Sequence, residues 1–171
     1  MFNPYLMYKQ HLINSLEKEI QIVCRLLSKV PDDQFSFKPK EGMRSLLELV
    51  QYLTVIGIAM PSFWLPSEPV DFRAFFGERI VASKNLLSTD ILPAMQQQLQ
   101  EAKMLFASIT DDELLNKEIS YPWGGTDALG QGIINTSIKF FTGYKLQLFL
   151  YLKLCTDLPL GTADAWVLTD L

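Results

Sequence analysis

Glu48 and Tyr52 stand four residues apart in one apolar stretch, and Phe140, Tyr144 and Gln147 stand four and three apart in another. At helical spacing each set shares one face of its helix. The chemistry these side chains offer is narrow. A phenol becomes a good metal ligand only after losing a proton that it holds up to a pKa of about 10, and Phe140 has no donor atom at all. The simplest role of Tyr52 and Tyr144 is to pack a ring in the core and hydrogen-bond the hydroxyl; the other is to bind a small molecule. Glu48 could act as a general base, but Ser45 stands three residues before it, and S-x-x-E is the spacing of a helix-capping box. Gln147 could orient a ligand or satisfy a buried polar group.

The remaining chemistry-bearing residues are isolated. His11 is the only histidine and has no companion at ligand spacing. Cys24 and Cys155 form no C-x-x-C pair and have no adjacent histidine or basic cluster, so they read as free thiols, with a disulfide between them left open. The chain has no G-x-S-x-G and no phosphate-binding loop, and Gly124-Gly125 lacks the following Lys-Ser or Lys-Thr.

Four long helices account for the periodicity. Asn3 and Pro4 suit a capped start, and Ile13, Leu16, Ile20, Val23 and Leu27 continue at helical spacing until Pro31 forbids more helix. Residues 35–43 read as an irregular connection. Ser45 opens the second helix, which the pattern carries to about Met60, before Pro61. Residues 62–87, with the aromatic cluster Phe72, Phe75 and Phe76, read as a long packed connection holding one or two short helical turns. Thr89 or Asp90 starts the third helix, with Pro93 in its first turn, and it runs to about Ile109. Thr110 and Glu113 repeat the capping-box spacing. Tyr121-Pro122-Trp123-Gly124-Gly125 is a loop, and Thr126 caps a fourth helix reaching Cys155. Gly130, Gly132 and Gly143 lie inside that helix, where each costs roughly 1 kcal/mol against alanine, an expense that close packing would explain. The tail after Pro159 reads as coil. The fold class expected is all-α, a four-helix bundle in one domain, 1–171.

Composition narrows the partners. With 171 residues and 49% hydrophobic side chains the chain can bury a sizeable core. A net charge of -4 and scattered Lys and Arg do not suit a nucleic-acid binder. Neither apolar window, 46–65 nor 138–154, is a clean run of the roughly twenty apolar residues a membrane span needs. The N-terminus carries no basic region followed by an apolar run. A soluble cytoplasmic protein without nucleic-acid or membrane partners is expected.

Taken together, Phe35-Ser36-Phe37-Lys38-Pro39, the serine-headed helix Ser45-Leu46-Leu47-Glu48-Leu49-Val50-Gln51-Tyr52-Leu53 and the late segment Phe140-Phe141-Thr142-Gly143-Tyr144-Lys145-Leu146-Gln147 resemble the DinB/YfiT-like family of helical-bundle proteins. The resemblance implies that Tyr52, Phe140 and Tyr144 stand where that family usually has the histidines that hold one divalent metal. The late segment of the family reads H-x-x-x-H-R-[GA]-Q. Gln147 matches its last position, Lys145 replaces the Arg, Leu146 replaces the small residue, and Arg44 stands in place of the usual Trp. The resemblance further implies a pocket between the second and fourth helices, lined by Tyr52, Phe140, Tyr144, Gln147 and Glu48; with none of the usual histidines at these positions, no metal and no cofactor are expected there. Three functions follow from it: a non-metal, non-catalytic member whose pocket takes a small molecule, an interaction or assembly protein acting through its surface, and a thiol-dependent transferase or isomerase. A homodimer packed through bundle helices is expected, with Phe72, Phe75 and Phe76 as candidates for its contact surface, and a mean hydropathy of +0.13 agrees with such a surface.

Overall fold

The computed structural model describes residues 4–68 and 70–168; Asn3, the expected cap of the first helix, lies outside them. The first helix, α1, spans Pro4–Leu27 and turns Leu16, Ile20, Val23 and Leu26 into the core. The second, α2, spans Leu46–Ile56 and opens on the expected capping box: the Glu48 N–H donates to Ser45 Oγ at 3.2 Å, and the Ser45 N–H donates to Glu48 Oε2 at 2.7 Å.

This helix stops short of Pro61. A buried glutamine from a distant helix breaks it: Gln98 Oε1 accepts from the Gly57 N–H at 2.9 Å, and Gln98 Nε2 donates to the Leu53 carbonyl at 3.0 Å. Those bonds give the Gly57 N–H and the Leu53 carbonyl partners at the break. A new helix, α3 (Ala59–Trp64), starts beyond it, and Pro61 sits in its first turn, where the missing N–H has no helical partner to lose.

The connection that follows is more ordered than short turns. Its main element is α4, Phe72–Lys84, a helix of 13 residues capped by Asp71, whose Oδ1 accepts from the Ala74 N–H at 2.8 Å. Gln51 Nε2 donates to the carbonyls of Lys84 and Leu86, tying the end of α4 to α2. Phe72, Phe75 and Phe76 are half-buried and packed, Phe63 lying 5.1 Å from Phe72 and 5.7 Å from Phe75 between ring centres.

Next comes α5, Ser88–Ser108, opened by the Leu87 N–H donating to Asp90 Oδ2 at 2.8 Å; Pro93 falls in its second turn, not its first. The Thr110–Glu113 box caps α6, Asp111–Asn116. Thr126 does not cap a helix. It begins β2 (Thr126–Ala128), which pairs antiparallel with β1 (Glu118–Ser120), Ile119 opposite Asp127. The chain then runs through α7 (Leu129–Ile133), a π-helical turn at Ile134–Ile138 and α8 (Lys139–Cys155). Asn135 in the π turn donates to Tyr121 Oη and to Asp127 Oδ2, both at 3.2 Å, so the hairpin is bonded to the irregular turn. The tail carries a short helix, α9 (Thr162–Trp166), where coil was expected.

The long elements pack as a set. Contacts join α1 to α5 and α8, and α2 to α4, α5 and α8. Leu16, Leu49, Leu53, Met95, Phe106, Phe141 and Leu148 meet between them. Two of the three late glycines sit at close approaches: a Cβ on Gly130 would lie 2.6 Å from Tyr8 Oη and 2.9 Å from the Leu114 carbonyl, and one on Gly132 would lie 3.0 Å from Trp64. Gly143 faces open space, so packing does not account for it.

Candidate functional site

Tyr52 from α2 and Tyr144 from α8 meet edge to face, their ring centres 4.9 Å apart and their planes at 73°. Arg44, just ahead of the Ser45 cap, lays its guanidinium over both: 4.4 Å from the Tyr52 ring centre and 5.5 Å from that of Tyr144. A guanidinium is attracted to the negative face of an aromatic ring, so the two rings hold Arg44 in one orientation. Phe76 from α4 completes the cluster, 6.5 Å from Tyr52. Burial pushes the Tyr52 phenol above its ordinary pKa, the neighbouring Tyr144 adds to this, and the Arg44 charge works against it.

The expected residues separate into layers around this pair. Glu48 borders an open cleft of about 370 Å³ with Arg44, Gln51, Tyr52, Phe76 and Lys84. Its carboxyl is held below its ordinary pKa first by the Ser45 N–H, so it serves the helix end before anything else. Phe140 lies in a crevice of about 130 Å³ whose lining includes Tyr52, Phe72, Phe76, Trp123 and Met60. Gln147 enters neither space. Its Nε2 donates to Tyr151 Oη at 2.7 Å, and Tyr151 Oη donates to the Arg44 carbonyl at 3.1 Å. Gln147 thus braces, through Tyr151, the backbone that carries the guanidinium.

Sequence reasoning took Phe76 for a candidate dimer contact, Trp123 for part of a loop and Arg44 for a replacement, and passed over Lys84. One signal was available: Phe76, Ile80 and Lys84 recur every four residues, the stripe of a helix face, in a segment read as a connection.

The divalent metal that the family resemblance implies does not suit this donor set. Phe140 has no ligand atom, burial holds the Tyr52 proton on, and a guanidinium already occupies the face of both phenols. Among the described residues no three His, Cys, Asp or Glu side chains gather, and His11 is exposed on α1. Cys24 and Cys155 are free thiols, and burial pushes Cys24 up to about 11.

A second charged locus lies about 100° round α8 from Tyr144. Lys145 is fully buried, with Nζ 2.8 Å from Glu19 Oε2 and 4.1 Å from the centre of the Trp166 ring. The two charged atoms are close but off the line of a hydrogen bond, so the contact is Coulombic. Trp166 ends α9, which Arg25 fastens to α1 by donating to the carbonyls of Ala163 and Asp164, and Lys29 pairs with Asp164 at 2.6 Å.

No family model matches the chain, and no curated protein matches it. Among solved structures it is similar to a crystal structure of a candidate member of the DinB family from Exiguobacterium sibiricum, with a TM-score of 0.66 and 17% identity over 90% of this chain and 95% of that one. At that identity the likeness is one of fold: the protein has a mostly helical, DinB-like fold.

Proposed function

We propose that α1, α2, α5 and α8 form a DinB-like four-helix bundle in one domain, with α3 and α4 in the long connection, and that the protein binds a small molecule beside Tyr52 and Tyr144 without metal or catalysis. The observation that carries this reading is the Arg44 guanidinium. It stands over two phenol rings at the edge of an open cleft, and among the described residues no side chain or carbonyl accepts a hydrogen bond from it. A preoriented cation with unused donors at the mouth of a concave, partly aromatic space is a binding feature. Native mass spectrometry tests it. An added small mass on the 19.5 kDa chain, lost in Tyr144→Ala, is the expected result. A bare chain that also shows no response to a small-molecule fragment screen would overturn it.

A second observation favours an additional role for the surface. Leu146, Leu150 and Leu154 follow one another every four residues along the outer face of α8 and are exposed, Leu154 by 66%. A helix apolar on its outer face as well as its inner one is suited to a further partner. The partner proposed is a second copy of the chain, giving a homodimer. The thiol-transfer reading rests on the resemblance alone. A cytoplasmic location is proposed on the free thiols Cys24 and Cys155; no helix among the described residues is long and apolar enough to cross a membrane.

A further inference from the structure

Two spaces meet at Tyr52 and Phe76, which line both: the open cleft with Arg44 and Lys84, and the crevice with Phe72, Trp123 and Phe140. We infer that the two spaces are one amphipathic site, and that its ligand is a small carboxylate whose apolar end, an aryl ring or a short alkyl chain, fills the crevice while its carboxylate pairs with Arg44. The inference rests on the small-molecule reading above and names the class of ligand.

Size sets the apolar end. A closed apolar cavity of about 150 Å³ takes up one benzene molecule, and the crevice measures about 130 Å³. Its lining of aromatic rings and Met60 offers contact area and no strong hydrogen-bonding demand. Charge sets the other end. Two cations, Arg44 and Lys84, face one carboxylate, Glu48, across the cleft. Glu48 is engaged with the Ser45 N–H at 2.7 Å, and no ion pair joins it to Arg44 among the described residues. The planar guanidinium, its carbon 4.4 Å from the Tyr52 ring centre and 5.5 Å from that of Tyr144, has paired N–H donors that fit the two oxygens of a carboxylate. Aromatic linings of this kind also accept organic cations. Here the Arg44 and Lys84 charges repel them.

The test is calorimetric titration of the intact protein with three probes of one shape: 4-phenylbutyrate, its neutral amide, and 4-phenylbutylamine. Backbone chemical shifts locate the binding. The carboxylate is expected to bind roughly tenfold or more tightly than the amide, in line with one charge-assisted pair, and the amine more weakly still. Shifts should centre on Tyr52, Phe76 and Trp123. Arg44→Gln should abolish the preference for the carboxylate. The exposed position of Arg44 leaves the core intact, and circular dichroism verifies the fold of the variant. Equal binding of carboxylate and amide at this site, or tighter binding of the amine, overturns the carboxylate assignment and leaves the small-molecule reading standing. No binding of any probe, with no shifted signals, overturns the carboxylate inference; the small-molecule reading falls with it only when native mass spectrometry and the fragment screen are also blank.

Discussion

Lys145 carries its charge into the core with one carboxylate and one indole face for company. Taking an ammonium out of water is costly, and the partner charge offsets that cost only while it is present. Glu19→Gln should therefore destabilise the protein by about 2 to 3 kcal/mol, somewhat below the fully buried range because Glu19 keeps 15% exposure. Replacing both partners with apolar residues of similar volume, Lys145→Met with Glu19→Leu, should come within about 1 kcal/mol of the parent protein. Urea denaturation of the two variants checks this, and a double variant as unstable as the single one would contradict it. Cys24 offers a pH test. Burial raises its pKa to about 11 from an ordinary value of 9.0, so the fold disfavours the thiolate. The stability linked to this group is complete below the unfolded pKa and falls as pH rises from there towards the folded one. Iodoacetamide should label Cys24 slowly at pH 8, with a rate still climbing beyond pH 10, whereas a rate that levels off near pH 9 would mean an ordinary exposed thiol. Residue types showed that Tyr52 and Tyr144 could pack and hydrogen-bond. They did not show that Gln147 turns to Tyr151, because that depends on an Arg44 carbonyl more than a hundred positions away in the chain.

Gly130 and Gly143 lie in one continuous helical run and should respond oppositely to alanine. At Gly130 the added methyl group meets the rigid Leu114 carbonyl and the Tyr8 hydroxyl, and overpacking of this kind costs about 1 to 3 kcal/mol. At Gly143 the methyl group meets nothing within 4 Å, so the helix gains close to the propensity difference of about 1 kcal/mol. Thermal unfolding of the two variants measures both signs. The starts of α2 and α6 were legible because caps are local: Ser45 with Glu48 and Thr110 with Glu113 form the bonds their spacing predicts. The end of α2 was not, since Gln98 reaches it from another helix. The hairpin was hidden for a similar reason. Thr126 looks like a helix cap, but β1 supplies backbone partners before any helix can start. α4 escaped notice because its apolar stripe is only half-buried and prolines precede it.

The whole molecule presents more apolar surface on α8 than on the aromatic cluster first suspected, whose rings lean on Phe63 and on one another. If two copies pack through Leu146, Leu150 and Leu154, light scattering at micromolar concentration should give twice the 19.5 kDa chain mass. Leu150→Glu should return it to one chain, because a carboxylate at the centre of an apolar contact must be desolvated without a partner. A parent protein already at the single-chain mass at every concentration rules the dimer out. The pairing of Tyr52 with Tyr144 came from the family resemblance and not from periodicity, whereas the helical character could be read from the sequence because caps and periodicity are written locally. The cleft and crevice could not, because their walls come from α2, α4, α8 and the hairpin turn together.

The π turn at Ile134–Ile138 acts on all of this as a phase shifter. A π turn holds one residue more than the α-helical turn it replaces, and each residue of an α-helix corresponds to a rotation of about 100°. With α7 locked by Gly130 and Gly132 against Tyr8 and Trp64, that single extra residue sets the angle at which α8 faces the rest of the molecule. Were it deleted, α8 would advance by one position. Lys145 would arrive where Tyr144 now meets Arg44, setting two positive charges against each other, and Leu146 would take the buried seat beside Glu19. The tyrosine pair, the guanidinium above it and the core ion pair therefore share one geometric origin, a surplus residue about two turns ahead of Tyr144 and Lys145.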